Sequence, residues 1–163
     1  MTLRLLRNSN RNKTAMQPRL NYKQLSPEGF DRLTALEHYL NTGTGLEKNL
    51  QDLVRLLASL MNGCEYCIHL HAAELKKMHE PEGRIEGLRE WRTSDAYTQR
   101  ERAALAWTEA VTNIQQGHAP DAIYDEVRAH FSDVETVNLT LTITNINAWN
   151  RLAISLGAHS SRG

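Results

Sequence analysis

Cys64, Cys67 and His71 are the residues of this sequence whose types and spacing point most directly to chemistry. They stand at i, i+3 and i+7, so a helix through them puts both thiols and the imidazole on one stripe. With Cys64 at the helix start, free N–H groups and the macrodipole favour a thiolate. A thiol so placed beside an imidazole ionises with a pKa lowered to roughly 3.5–7.5. His71 follows Cys67 by one turn, the spacing needed to exchange a proton with it. The dipole favours thiolate at Cys64, nearer the helix start, whereas the imidazole favours Cys67.

Other readings of the same residues compete. A c-type haem attachment needs His directly after the second cysteine, and Ile68 stands there. A thioredoxin-like fold needs a strand leading into the motif, and a leucine-rich helical stripe precedes this one. Cys64, Cys67, His69 and His71 are four potential zinc ligands, but they crowd into eight residues and His69 projects from another helix face; structural zinc usually ties separated pieces of chain. The plainest alternative is a pair of buried cysteines acting as small hydrophobes. These are the only two cysteines of the chain, and a bridge between them closes too short a loop to restrain the unfolded state much. Metal or redox chemistry in an intracellular protein suits them better than a secreted scaffold.

The elements that must position the pair read as helices. Residues 1–25 read as a tail leading into an extended arm. Ser26-Pro27-Glu28 then supplies a cap, a proline at the first helical position and an early acid, opening a helix to about Leu40. Leu46, Leu50, Leu53, Val54, Leu57 and Met61 form a helical stripe that Asn62-Gly63 ends. A helix from Cys64 to about Met78 follows, and Pro81 to Trp91 is a shorter candidate. Thr98-Gln99-Arg100-Glu101 and Ser132-Asp133-Val134-Glu135 are capping boxes, and Ile123, Val127 and Phe131 stripe a helix between them. Val137–Ile146 alternates like a strand, yet a capping box precedes it and a helical stripe resumes at Ile146, which predicts a buried helix. Trp107 and Trp149 read as core or subunit contacts. His38, His79, His118, His130 and His159 have no partner pattern and read as surface residues.

The 163 residues fit one domain. No stretch approaches the roughly 20 apolar residues of a membrane helix, and Met1 to Lys13 lacks the apolar run of a secretory signal, so a cytoplasmic protein without a membrane partner is expected. Formal net charge is zero, but residues 1–27 hold six basic residues and no acid, leaving thirteen Lys and Arg against nineteen Asp and Glu in the rest. A basic arm suits nucleic acid or an import receptor, but no aromatic or glycine pattern accompanies it, and it reads as an extension ahead of Met16. The acidic body argues against phosphate-backbone binding. The domains expected are a basic tail at 1–18, a helical domain at 19–157 and a short tail at 158–163.

Asn62-Gly63-Cys64-Glu65-Tyr66-Cys67 followed by His71 resembles the signature of the carboxymuconolactone decarboxylase and alkylhydroperoxidase D superfamily, in its small single-domain alkylhydroperoxidase-like branch. Arg100–Ala110 resembles that branch's next helix and Ile146–Ala153 its last, so the similarity runs from about Arg19 to Gly157. The resemblance implies an all-α, AhpD-like helical bundle that assembles into homo-trimers or homo-hexamers. It implies reduction of peroxides without metal or cofactor: Cys67 meets the peroxide, Cys64 resolves it, His71 relays protons with a carboxylate on the preceding helix, and an external dithiol of thioredoxin or lipoyl type restores the thiols. That carboxylate position, twelve residues before Cys64, is Asp52 where the family usually has Glu. Its shorter reach implies a bridging water to His71 or a weakened relay. By itself Asp52 lies outside the main apolar arc of its helix, where a solvated acid is ordinary, while Leu56 and Leu60 on the adjoining arc suggest that this side is partly covered. Tyr66 stands where better-known members carry another His, and reads as a packing or hydrogen-bonding residue. The competing functions are a decarboxylase like the one that names the superfamily, and a non-enzymatic redox-sensing module.

Overall fold

The computed structural model describes residues 18–157. Its elements are α1 (Tyr22–Leu25), α2 (Pro27–Thr42), α3 (Lys48–Asn62), α4 (Glu65–Lys77), α5 (Glu82–Glu86), a 3-10 segment (Gly87–Thr93), α6 (Gln99–Thr112), α7 (Ile114–Gly117), α8 (Asp121–His130) and α9 (Asp133–Leu156). No strand occurs among the described residues. The fold is therefore all-α, as expected, and the tails at 1–17 and 158–163, with His159, lie outside the described residues.

Both predicted capping boxes are present: Thr98 and Ser132 each accept from the backbone of the glutamate three residues on, and that glutamate's side chain returns to the cap N–H. Val137–Ile146 lies wholly within α9. Its threonines sit comfortably there because their hydroxyls bond carbonyls of their own helix, Thr140 to Thr136 at 2.7 Å and Thr142 to Asn138 at 2.9 Å. The polar half of the strand-like alternation is thus absorbed by helical backbone.

Two expectations need correction. Pro81–Trp91 is not one helix: α5 ends at Glu86, and Leu88 and Trp91, both buried, continue at the three-residue period of a 3-10 turn. Nor is the arm before Pro27 simply extended. Asn21 caps α1 by accepting from Gln24 N–H, and Arg19 N–H bonds Leu156 O at 2.7 Å, fastening the arm to the end of α9.

Helix α3 lies at the centre. Leu50 and Val54 pack with Ala104 and Trp107 of α6, Val127 of α8, and Leu139 and Ile143 of α9. Leu53, Leu56 and Leu57 face Leu75 of α4, Leu88 and Trp91 of the 3-10 segment, and Leu105 of α6. A third cluster joins Ala58 to Cys64, Cys67, Ile146 and Ala153. The dithiol is therefore part of the core, wedged between α3, α4 and α9.

A polar seam fixes α9 against the end of α3. Asn62 Nδ2 donates to Oδ1 of both Asn147 and Asn150 at 2.9 Å, Asn150 Nδ2 donates to Ser59 Oγ at 3.1 Å, and Asn147 Nδ2 donates to Thr112 Oγ1 at 3.0 Å. Asn150 and Ser59 are fully buried, so a missing partner there exposes a desolvation cost. Asn62→Ala is expected to lose about 1–3 kcal/mol of stability, read by urea unfolding; an unchanged midpoint would show the seam to be dispensable.

Candidate active site

The turn before α4 places the thiols. Gly63 has φ 70°, the left-handed conformation that glycine adopts without penalty. The Cys64 N–H then reaches back to Ser59 O at 3.0 Å, closing a Schellman motif that stops α3. Cys64 becomes the N-cap of α4 one residue later, and Cys67 and His71 follow on the same buried side. Cys64 and Cys67 are joined as a disulfide with their Cα atoms 5.3 Å apart, inside the range such a bridge requires.

A pocket of about 470 Å³ opens over this turn. Cys67 and His71 line it, whereas Cys64 does not. Its walls are largely apolar, with Phe30 of α2, Leu70 of α4, and Ile146 and Trp149 of α9, and the arm contributes Tyr22 and Lys23. Trp149, expected in the core or at a subunit contact, is half-buried and stacks edge-on against Phe30, ring centroids 5.6 Å apart. Tyr66 is 41% exposed and borders the pocket, a place for contact rather than catalysis. His69 is exposed while His71 is buried, so the two imidazoles do leave α4 on different sides.

Asp52 is not a solvated acid: it is 1% exposed. Its Oδ1 lies 3.1 Å from His71 Nδ1, so the aspartate reaches the histidine directly and the expected bridging water is unnecessary. A carboxylate only accepts, so this contact assigns the proton to Nδ1 and leaves Nε2 as the basic nitrogen. Lys48 pairs with Asp52 Oδ2, and Arg55 Nη1 lies 3.3 Å from Oδ1. Burial pushes the Asp52 carboxyl up, but the hydrogen bonds from His71 and Lys48 and the charges of Arg55 and Lys48 outweigh it and hold it below the ordinary aspartate range. Asp52 therefore stays ionised deep in the core.

Sequence reasoning missed Glu37, Arg55 and Lys48. Lys48 and Arg55 stand at i−4 and i+3 from Asp52 on one helix, so their spacing carried a signal. Glu37 belongs to another helix; its carboxylate lines the pocket, lies 3.2 Å from Arg55 Nη2 and accepts from Asn145 of α9. No local pattern announces that contact.

A dithiol at a helix N-terminus within an all-α bundle, backed by a buried carboxylate–histidine pair, is an AhpD-like arrangement. The profile of the carboxymuconolactone decarboxylase family matches residues 27–110, and the chain belongs to that family. It is 36% identical over 142 residues to the uncharacterized protein YdfG of Bacillus subtilis, spanning 87% of this chain and 96% of that one. A solved structure from Agrobacterium tumefaciens, a protein of unknown function named as a candidate antioxidant defence protein AhpD, is 41% identical with a TM-score of 0.84, covering 88% of this chain and 97% of that one. An AhpD-core, peroxidase-related protein from Ralstonia eutropha shares the fold at 20% identity, with a TM-score of 0.74 over 86% of this chain and 74% of that one.

Proposed function

We propose that this protein is a thiol-dependent peroxidase that reduces peroxides through Cys67 and Cys64. The observation that carries this reading is that, of the two thiols, Cys67 alone lines the pocket, and His71 lines it with Cys67. In the reduced protein the Cys67 thiolate attacks the terminal peroxide oxygen; the O–O bond breaks, an alcohol or water leaves, and Cys67 becomes a sulfenic acid. His71 accepts the thiol proton and returns one to the leaving oxygen. Cys64, packed behind Cys67 in the core, attacks the sulfenic sulfur and expels water, giving the disulfide. An external dithiol of thioredoxin or lipoyl type then reduces it by exchange, with the electrons passing from that dithiol to the peroxide. Asp52 holds His71 in the tautomer this cycle needs. No step requires a metal or cofactor.

The test is peroxide consumption by the reduced protein with a regenerating dithiol. Turnover well above that of free thiol supports the peroxidase. Reversible oxidation without turnover supports a redox-sensing module, and lactone decarboxylation independent of the thiols supports the decarboxylase reading.

Among the described residues no helix is long and apolar enough to cross a membrane, and a reducing cytoplasm is the setting in which such a dithiol cycles. Self-association into a trimer or hexamer belongs to the same reading. Val134 and Val137 are 68% and 58% exposed, and with half-buried Leu141 they form an apolar stripe along α9. Sedimentation equilibrium is expected to give three or six chains per particle; a monomer at working concentration would contradict it.

A further inference from the structure

We propose that Glu37 is a positioning residue for the Asp52–His71 pair: by holding one edge of the buried Arg55 guanidinium, it leaves Asp52 Oδ1 available to His71. This rests on the peroxidase reading of the site for its purpose, though not for its geometry.

Arg55 is 1% exposed and stands between two carboxylates on different helices. Its Nη1 lies 3.3 Å from Asp52 Oδ1 and 2.9 Å from Asn41 Oδ1, and its Nη2 lies 3.2 Å from both Gln51 Oε1 and Glu37 Oε1. The oxygen that Arg55 touches on Asp52 is the same one that His71 Nδ1 meets at 3.1 Å. Guanidinium and imidazole thus share one acceptor atom. An arginine beside a lone carboxylate closes on it as a two-pronged fork, and that closure would take Oδ1 from His71. Glu37 opposes it, since it draws Nη2 toward α2. Asn145 and Asn41 each donate to the Glu37 carboxylate and fix it in place. Arg55 Nε, buried and without a partner, fits a guanidinium shared between two acids rather than seated squarely on either.

The charges support the same role. Around Arg55 and Glu37 stand Asp52 and Lys48 of α3, His71, Tyr66 and Cys67 of α4, and Tyr22 and Lys23 of α1, while α9 brings the neutral Asn145. Glu37 and Asp52 together balance Arg55 and Lys48. Without Glu37 the cluster carries one surplus positive charge beside the Cys67–His71 pair. Proton loss then becomes easier at thiol and imidazole alike, so the sign does not depend on which of them titrates.

The experiment follows the pH dependence of iodoacetamide alkylation of Cys67 in the reduced protein, with the adduct located by mass spectrometry; no peroxide is involved. Glu37→Gln is expected to move the acid limb of the profile down by about half to one pH unit and to lower the plateau rate. Glu37→Asp, which keeps the charge, is expected to leave the limb in place. Glu37→Gln combined with Arg55→Met removes both charges, leaves no guanidinium uncompensated, and is expected to bring the limb back toward wild type. A Glu37→Gln profile that superimposes on wild type or moves up, or an equal shift in Glu37→Asp, overturns the proposal. Failure of the peroxidase reading is distinguishable: wild-type protein would then consume no peroxide faster than free thiol, whatever the alkylation profiles show.

Discussion

Cys67→Ser is expected to abolish peroxide turnover, whereas Cys64→Ser is expected to react once and stop. The asymmetry follows from placement. Both cysteines are almost fully buried, at 2–3% exposure, but only Cys67 has a face on the pocket. A serine there removes the attacking sulfur, and Cys64, behind the wall, has no route to the peroxide. In Cys64→Ser the first step survives, because Cys67 and the Asp52–His71 pair are untouched. The sulfenic acid then persists, since nothing remains to resolve it. Single-turnover reaction with a peroxide, with the sulfenic acid trapped and located by mass spectrometry, reads both outcomes. A trapped adduct on Cys64 in wild-type protein, or full activity in Cys67→Ser, would reverse the roles. The second outcome would favour the dipole over the imidazole as the force that selects the thiolate.

Legibility in the sequence tracked the range of the interaction. Capping boxes, the Gly63 stop and the Cys64–Cys67–His71 stripe act within a few residues, and all were readable. Asp52 was readable as a candidate only through the family pattern. Its wheel position left burial open, because a wheel does not show that Arg55, Lys48 and His71 converge on that side. The Asn62–Asn147–Asn150 seam joins helices far apart in the chain, and the Glu37–Arg55 pair joins two successive helices at no helical spacing. They consist of polar residues that pattern reasoning assigns to surfaces, and burial turns them into structure only after the bundle closes. The arm was misjudged for a related reason: what fastens Arg19 is the end of α9, more than 130 residues later.

Asp52→Asn is expected to slow the attack step by about a hundredfold and to cost about 3 kcal/mol of stability at neutral pH. Both effects come from one atom set. The amide cannot neutralise Lys48 and Arg55, which are left facing a buried neutral group. It also no longer enforces the proton on His71 Nδ1, so the base is free to adopt the unproductive tautomer. The stability loss must depend on pH in a defined direction. Because the folded Asp52 carboxyl lies below its ordinary range, its contribution is complete above the unfolded value near pH 4 and disappears as pH falls through the lower folded value. Urea unfolding of wild type and Asp52→Asn is therefore expected to differ most at pH 7 and to converge in acid. A weakened relay, which Asp52→Glu would restore, presupposes that the shorter side chain falls short of His71. The direct 3.1 Å contact removes that premise. In a site 1% exposed, an added methylene must displace His71 or Arg55, so the glutamate variant is expected to be slower than wild type and less stable. His71→Ala should share the rate loss, most severely at low pH where the unassisted thiol is protonated. If Asp52→Asn keeps its single-turnover rate within twofold while losing stability, Asp52 is a structural counter-ion for Lys48 and Arg55 and His71 works without it.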